Sequence, residues 1–429
     1  MFRQATGIGM AFVGVLVGAG FASGQEMLQF FVAFGLWGII GAAGAALILI
    51  VSGIAALQLG SYLLADEHTV VFRRVSNPWI AWFLDASTIV TLFAIGFVMF
   101  AGGGSNMEQQ FGWPVWAGAT LTMAAVLVAG MFDVSRVSAI IGAITPFLIV
   151  FVVGASVWSM TTSSYDIPAL ELAAGSVQTG VPNWWLAALN YVGLCVITAV
   201  SMTIVIGGSM LDMRVAGLGG VIGGIIYLVL LMLGVTALYL HVDAVGQDDL
   251  PMLTLVNAIH PSLGPTMALV ICGMIFNTAL AMFYALGKRL SRRRPERFRV
   301  VFVATVLVGF ALSFVGFRDL VSYVFPPLGY LGLVLIVVMG IGWLRRRGRI
   351  GDETERRERL HRLAQRKLDP DRRFNPEHAA EVRRIARASN LPGDELRKAM
   401  LDEVRAARGP DDESTGGAPE PERPEGPVS

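Results

Sequence analysis

Long apolar stretches alternate with short polar loops along the first 345 or so residues. Their lengths predict ten membrane-spanning helices, at 6–34, 36–62, 78–103, 114–132, 137–160, 184–208, 215–240, 264–287, 299–316 and 319–344. As one straight helix the first span would be about 43 Å long, more than a hydrocarbon core of about 30 Å requires. A break in its middle resolves the excess. Residues Gly14-Val-Leu-Val-Gly-Ala-Gly-Phe-Ala-Ser-Gly-Gln-Glu26 carry four glycines, and Ser23 stands three residues before Glu26, the signature of a new helix starting at Ser23. Backbone released from its ladder inside a bilayer is tolerated where it is buried in protein or lines a polar cavity.

Ten spans divide into five plus five. The sixth also carries glycine and polar residues at mid-membrane depth: Asn190, Tyr191, Gly193, Cys195, Thr198 and Ser201. Interrupted spans at matching places in two halves point to inverted repeats with a site at their interface. The expected fold is therefore an all-α polytopic membrane protein of ten transmembrane helices, arranged as a five-plus-five inverted repeat with spans one and six broken. A fainter echo, Asp133…Val137-Ser138 against Asp319…Val321-Ser322, opens spans five and ten.

Composition agrees with a membrane protein. The chain has 429 residues, 54% hydrophobic and 15% charged, with mean hydropathy +0.62; an average soluble chain carries about 25% charged residues. Lys and Arg gather in alternate loops: Arg3, Arg73 and Arg74, Arg136, Arg214, Lys288 to Arg299, and Arg345 to Arg349. The intervening loops, around Glu108, Asp166 and Asp248, hold none, and Arg318 is the exception. The positive-inside rule then puts both termini in the cytoplasm of a multi-pass plasma-membrane protein. The basic clusters flank spans, so they read as topology signals and not as a nucleic-acid surface. Cys195 and Cys272 both lie in apolar segments and are not read as a disulfide; no Cys/His spacing suggests a metal, and no cofactor motif is present.

Residues 346–408 have helical periodicity, in Arg356–Leu368 and Ala379–Ala407, with a break at Asn390-Leu-Pro-Gly; 409–429 are Pro, Glu, Gly and Ser and are expected to be disordered. Between spans seven and eight, Asp248-Asp249-Leu250-Pro251-Met252 leads into an apolar stretch ending at His260, readable as a lid over the site or as a connector on the bilayer surface.

The stretch Gly14–Phe31 resembles the YkvI family of uncharacterised bacterial membrane proteins, similar to a branch of the amino acid–polyamine–organocation transporter superfamily, the LeuT fold. The resemblance extends over about residues 1–345 and implies a transport role. It also implies a sodium site between carbonyls of span one and hydroxyls of span eight. Gly14 and Val17 occupy the span-one positions, and Asn277 and Thr278 are the span-eight candidates, where relatives often show two adjacent hydroxyl residues.

A half-helix start at Gly20, Phe21, Ala22 and Ser23 would offer backbone N–H groups to an anionic group of a solute. Close helix packing is the alternative use of such glycines. The candidate substrate residues are Gly18, Ala19, Gly20, Phe21, Ala22, Ser23, Tyr191, Gly193 and Cys195. Glu26 either completes a capping box with Ser23 or titrates, and it shares candidacy for proton coupling with Asp85 of span three. On span eight, Gly273, Asn277, Ala281, Tyr284 and Lys288 follow one helical face. The expected activity is secondary transport of a small solute, an amino acid or related amine, coupled to sodium or protons; the expected partners are that solute and lipid. No catalytic set argues for an enzyme. The alternative is a receptor that binds a solute without moving it and signals through the tail; flux separates the two.

Overall fold

The computed structural model describes residues 2–131, 145–162, 166–368, 373–391, 396 and 400. The expected start of span five, the Asp133–Ser138 echo and the 409–429 tail lie outside the described residues. The chain forms two compact units, Met1–Arg347 and Gly348–Ser429.

The first unit is built of helices. In chain order they are α1 (Phe2–Leu16), α2 (Ala19–Ser23), α3 (Gln25–Phe30), α4 (Gly35–Leu63), α5 (His68–Val75), α6 (Pro78–Phe111), α7 (Val115–Ala129), α8 (Thr145–Thr162) and α9 (Ile167–Ala174). There follow α10 (Trp184–Gly208), α11 (Met213–Leu240), α12 (Val242–Val245), α13 (Pro251–Ile259), α14 (Leu263–Leu290), α15 (Phe298–Leu312) and α16 (Phe317–Leu368), of which the part through Arg347 belongs to this unit. Eight stretches among the described residues are long and apolar enough to cross a membrane; α7 is apolar but shorter. This is a polytopic all-α membrane protein.

Helix α4 runs along α10 and α11, α1 along α11, and α6 along α14 and α7. Small residues set these approaches, as expected where lipid offers no hydrophobic contrast. A Cβ at Gly60 would overlap the Ile204 carbonyl, and one at Gly207 the Leu57 carbonyl, so α4 and α10 meet backbone to backbone. Gln58 ties three helices: its Nε2 donates to Met213 O (3.3 Å) and its Oε1 accepts from Trp343 Nε1 (2.8 Å).

The sixth span is not broken, contrary to the expectation: α10 is continuous through Tyr191–Val196. Its glycine and polar residues have other uses. A Cβ at Gly193 would overlap the Gly329 carbonyl of α16, and one at Gly332 would overlap Gly193 O. Asn190 Nδ2 donates to Pro326 O (2.9 Å), and Thr198 Oγ1 donates to Leu194 O (2.9 Å) within its own helix. Asn190 and Gly193, two of the residues that suggested a break, hold α10 against α16.

In the second unit, α16 from Gly348 and α17 (Pro376–Ala388) surround a buried carboxylate. Glu353 accepts from Arg357 Nε (3.2 Å) and Ser389 Oγ (2.5 Å). Helix α17 ends at Ala388, just ahead of the Asn390-Leu-Pro-Gly break signal.

Two glycine substitutions should behave oppositely. Gly193→Ala drives a methyl into backbone that cannot yield and should cost about 1–3 kcal/mol. Gly44→Ala, whose Cβ meets nothing within 4 Å, should gain up to about 1 kcal/mol of helix propensity. Thermal melting of the detergent-solubilised variants measures both.

Candidate functional site

The first span breaks where its glycines cluster. Helix α1 ends at Leu16 because Gly18 N donates to Leu16 O (3.0 Å) instead of continuing the ladder to Gly14 O. Gly18 is extended, at φ −92° and ψ −169°. One turn follows, α2, closed by Gly24 in the left-handed region at φ +82°, a conformation that glycine alone adopts without strain. Above Gly24 sits the loop helix α13: a Cβ there would lie 3.1 Å from Met252 N.

The capping reading of Ser23 and Glu26 is corrected. Ser23 ends a helix instead of opening one: its Oγ donates to Gly20 O (2.9 Å) and accepts from Gln25 N (3.2 Å), while Gly24 is the residue that opens α3. Glu26 does not reach back to Ser23. Its carboxyl lies over Gly20, in the space a Cβ at that position would occupy. The expected half-helix is also a single turn of five residues, so few aligned peptide dipoles stand behind its N–H groups.

Glu26 sits beside a cluster contributed by two other helices. Tyr191 of α10 and Tyr227 of α11 share a hydroxyl–hydroxyl hydrogen bond of 2.6 Å, and Cys195 Sγ is 3.8 Å from the Tyr227 hydroxyl. Aromatic rings wall the cluster: Phe21 lies 5.6 Å from Tyr227, and Phe30 and Phe31 lie 5.6 and 4.8 Å from Tyr191. Gln25 is fully buried, and neither polar atom of its side chain has a hydrogen-bond partner. Among the described residues, no Lys, Arg or His forms an ion pair with Glu26.

Of the expected substrate residues, the fold brings together Gly20, Phe21, Tyr191 and Cys195. Gly18 and Ala22 flank them on the break, and Ala19 opens its single turn. Gly193 faces α16 instead, and the Ser23 hydroxyl is spent on local backbone. Tyr227 was missed. The available signal was a tyrosine in the middle of a glycine-rich apolar span, whose hydroxyl needs a partner once buried.

Toward the expected cation site, Thr278 Oγ1 of α14 lies 3.9 Å from the Cβ position of Gly18. Thr88, Thr91 and Thr203 bond back to their own helices; Thr278 makes no such bond and faces the break. The break frees the carbonyls of Gly14 and Val17 from the ladder, and Val17 is buried. Asn277 is partly exposed beside Thr278. Among the described residues no group of three or more His, Cys, Asp or Glu is placed to hold a metal.

The two ends of the bundle differ. At the Arg-rich end a cavity of about 440 Å³ opens between α6, α10 and α14; Leu92, Thr198, Ser201, Ala281 and Lys288 line it. Thr198 is one turn from Cys195, so the cavity approaches the Tyr–Cys cluster. Asp85 is engaged at this mouth, in an ion pair with Arg289 of α14. Arg289 Nη1 also donates to His68 Nε2 of α5 (2.7 Å), which only a neutral imidazole can accept. Burial, then the Arg289 charge, push the His68 pKa down to about 4.

At the opposite end the loop helix α13 packs inward against the bundle. Helix α13 buries Pro251, Met252, Leu253, Leu255 and Val256, so it is a lid and not a surface connector. Gln109 of α6 donates to Leu250 O (3.1 Å) and Thr254 Oγ1 (2.8 Å), and Ser105 donates to Asp249 (2.6 Å). Gln29 bridges to α16, donating to Arg318 O (3.1 Å) and accepting from Ser322 Oγ (2.9 Å). Arg318, the exception in the loop charges, donates to Gln247 O (3.1 Å) in the loop that carries the lid.

Comparison with known proteins agrees with this architecture. No family model matches the chain. The uncharacterised membrane protein YkvI of Bacillus subtilis is 25% identical over 340 residues, covering 78% of this chain and 94% of YkvI. The uncharacterised protein YyaD of the same organism is 26% identical over 333 residues, covering 76% and 93%. Among solved structures, the nucleobase-cation-symport-1 family transporter Mhp1, in an inward-facing conformation, aligns over 95% of this chain and 90% of its own at TM-score 0.54 and 15% identity. MhsT in complex with L-phenylalanine aligns over 94% and 98% at TM-score 0.55 and 16% identity. The chain is thus a homologue of the uncharacterised B. subtilis membrane proteins YkvI and YyaD, and its fold is that of the transporters Mhp1 and MhsT.

Proposed function

We propose that the protein is a secondary active transporter of a small solute, an amino acid or related amine, driven by sodium or protons through alternating access. One observation carries the reading: a carboxylate and an aromatic cluster sit at a broken span, a lid closes one end, and a cavity approaches from the other. Such an arrangement gives a solute at mid-membrane depth access to one side at a time. The fold shared with Mhp1 and MhsT supports it, as do the bound L-phenylalanine of MhsT and the bound bromovinylhydantoin of Mhp1.

In this reading the ten spans form two inverted halves, with only the first interrupted. Both termini are cytoplasmic by the loop charges, so the cavity is the inner vestibule and the lid is external. The pair Asp85–Arg289, with His68, is the latch across the vestibule mouth, joining α6, α14 and α5. Glu26 is the proton-coupling candidate that faces the site. The released carbonyls of Gly14 and Val17, with Thr278 and Asn277, are the candidate sodium ligands, since hard cations choose oxygen.

The test is flux. Purified protein in proteoliposomes should accumulate a labelled amino acid or amine under an imposed sodium or proton gradient. Saturable binding with no accumulation under either gradient would overturn the reading in favour of a receptor.

Sodium should raise the melting temperature relative to choline at equal ionic strength, and Thr278→Val should abolish that difference. Uptake unchanged when choline replaces sodium would leave protons as the driver.

Acid should loosen the latch. The ordinary His pKa of 6.5 applies to the unfolded chain and about 4 to the folded one. The unfolded chain therefore takes up the proton first as pH falls. Stability is constant above pH 6.5 and declines toward pH 4. His68→Gln should flatten that part of a plot of melting temperature against pH.

A further inference from the structure

Glu26 is a carboxyl group at a break within the membrane, and among the described residues no Lys, Arg or His pairs with it. The titratable groups clustered beside the break are Tyr191 and Cys195 of α10 and Tyr227 of α11, none of them a cation. Among the described residues no cation on α2, α13 or α14 reaches it. An ionised carboxylate in such a place is costly unless paired. It is therefore stable in two conditions only: protonated, or beside a positive charge that comes from outside the chain.

The surroundings are built for the second condition as well. The carboxyl lies over Gly20, next in sequence to Phe21, whose ring meets Tyr227 and through it Tyr191, and aromatic faces attract cations. The preceding residue, Gln25, is buried with its amide oxygen and nitrogen unbonded. Nothing comparable awaits an anion. There is no Lys or Arg among these groups, and α2 is a single turn. Gly20 completes the arrangement by leaving room for the carboxyl against the broken backbone.

We propose that Glu26 is a shared site, taken in turn by a proton and by the ammonium group of an organic amine, and that the protein exchanges a cationic amine for a proton. The exchange balances: Glu26–COOH and R–NH₃⁺ give the carboxylate–ammonium pair and one released H⁺. No bond of the amine changes. A site with one carboxyl and no cation holds one positive charge at a time, so each ligand expels the other. The solute class follows: amines without a carboxylate bind in preference to the corresponding α-amino acids. The exchange half rests on the transporter reading above; the binding half does not.

The test uses the purified full chain and three matched pairs: ethylamine with alanine, butylamine with norvaline, and 2-phenylethylamine with phenylalanine. Binding is measured by calorimetry in two buffers of different ionisation enthalpy, which counts protons. At least one amine should bind about tenfold or more tighter than its amino acid. On the acid side its Kd should rise about tenfold per pH unit, with close to one proton released per amine bound. Glu26→Gln, close in shape, should melt at or above the wild-type temperature, release no proton and bind the amine about 100-fold or more weakly. Gly20→Ala should fold, since only the end of the Glu26 side chain must move, and should weaken amine binding.

The proposal is overturned if no amine of the set binds, if an amino acid binds as tightly as its amine, if affinity is independent of pH, or if Glu26→Gln binds like wild type. Proteoliposomes separate this from the transporter reading. Amine binding that displaces a proton without acid-driven amine uptake sinks the transporter and keeps the Glu26 site. Amino-acid uptake indifferent to Glu26→Gln keeps the transporter and sinks the shared site.

Discussion

A peptide group that leaves its helical ladder inside a bilayer has to find partners in protein, because lipid supplies none. The arrangement of this molecule follows from where that happens. Between Leu16 and Gln25 the first span abandons regular hydrogen bonding twice, at Gly18 and at Gly24. Each departure is covered by something distant in sequence. Thr278 of α14 stands beside Gly18, the lid helix α13 lies on Gly24, and the Glu26 carboxyl folds onto Gly20. Helices as short as α2 and α3, of five and six residues, would be unstable alone. Here α10, α11, α13 and α14 hold them, and the groups that hold them also make the polar centre.

The same residue type serves two unrelated ends. Gly24 is required for its conformation, at positive φ where a side chain is strained. Gly193, Gly329 and Gly332 are required for what they lack, since any Cβ would meet the backbone of the facing helix. From sequence the two uses look alike, a glycine among apolar residues at mid-span. Packing glycines pair across helices whose ladders remain whole, whereas the conformational glycine sits between helices that end and begin.

Polarity divides in the same way. Asn190 and Gln58 bond across to facing helices and hold the bundle together, each contributing the modest energy of an intramembrane hydrogen bond, about 0.6 kcal/mol on average, while Thr198 is satisfied within its own helix. Glu26 and Gln25 stand apart. One has no counter-charge and the other no hydrogen bond, and they lie next to each other on either side of the same peptide link. Buried polar groups without partners are rare in native proteins, and where they persist they point to a ligand or a proton. The two ends differ: one is tied together through Gln29, Gln109 and Arg318, and the other is hollowed between α10 and α14.

The sequence by itself determined the class of molecule, the positions of most spans and the break in the first. Each of these depends on local composition: apolar runs of membrane length, and four glycines within thirteen residues. The resemblance carried by Gly14–Phe31 likewise led to YkvI without a structure. Only the tertiary fold decided that the sixth span stays whole, because the carbonyls that Gly193 approaches belong to α16, more than a hundred residues away. It also decided that Ser23 ends a helix, that Asp85 is taken by Arg289, and that Tyr227 joins Tyr191 beside Glu26. These are matters of which side chain meets which. Local periodicity specifies the face a residue occupies on its own helix, but the helix across from it is chosen by packing.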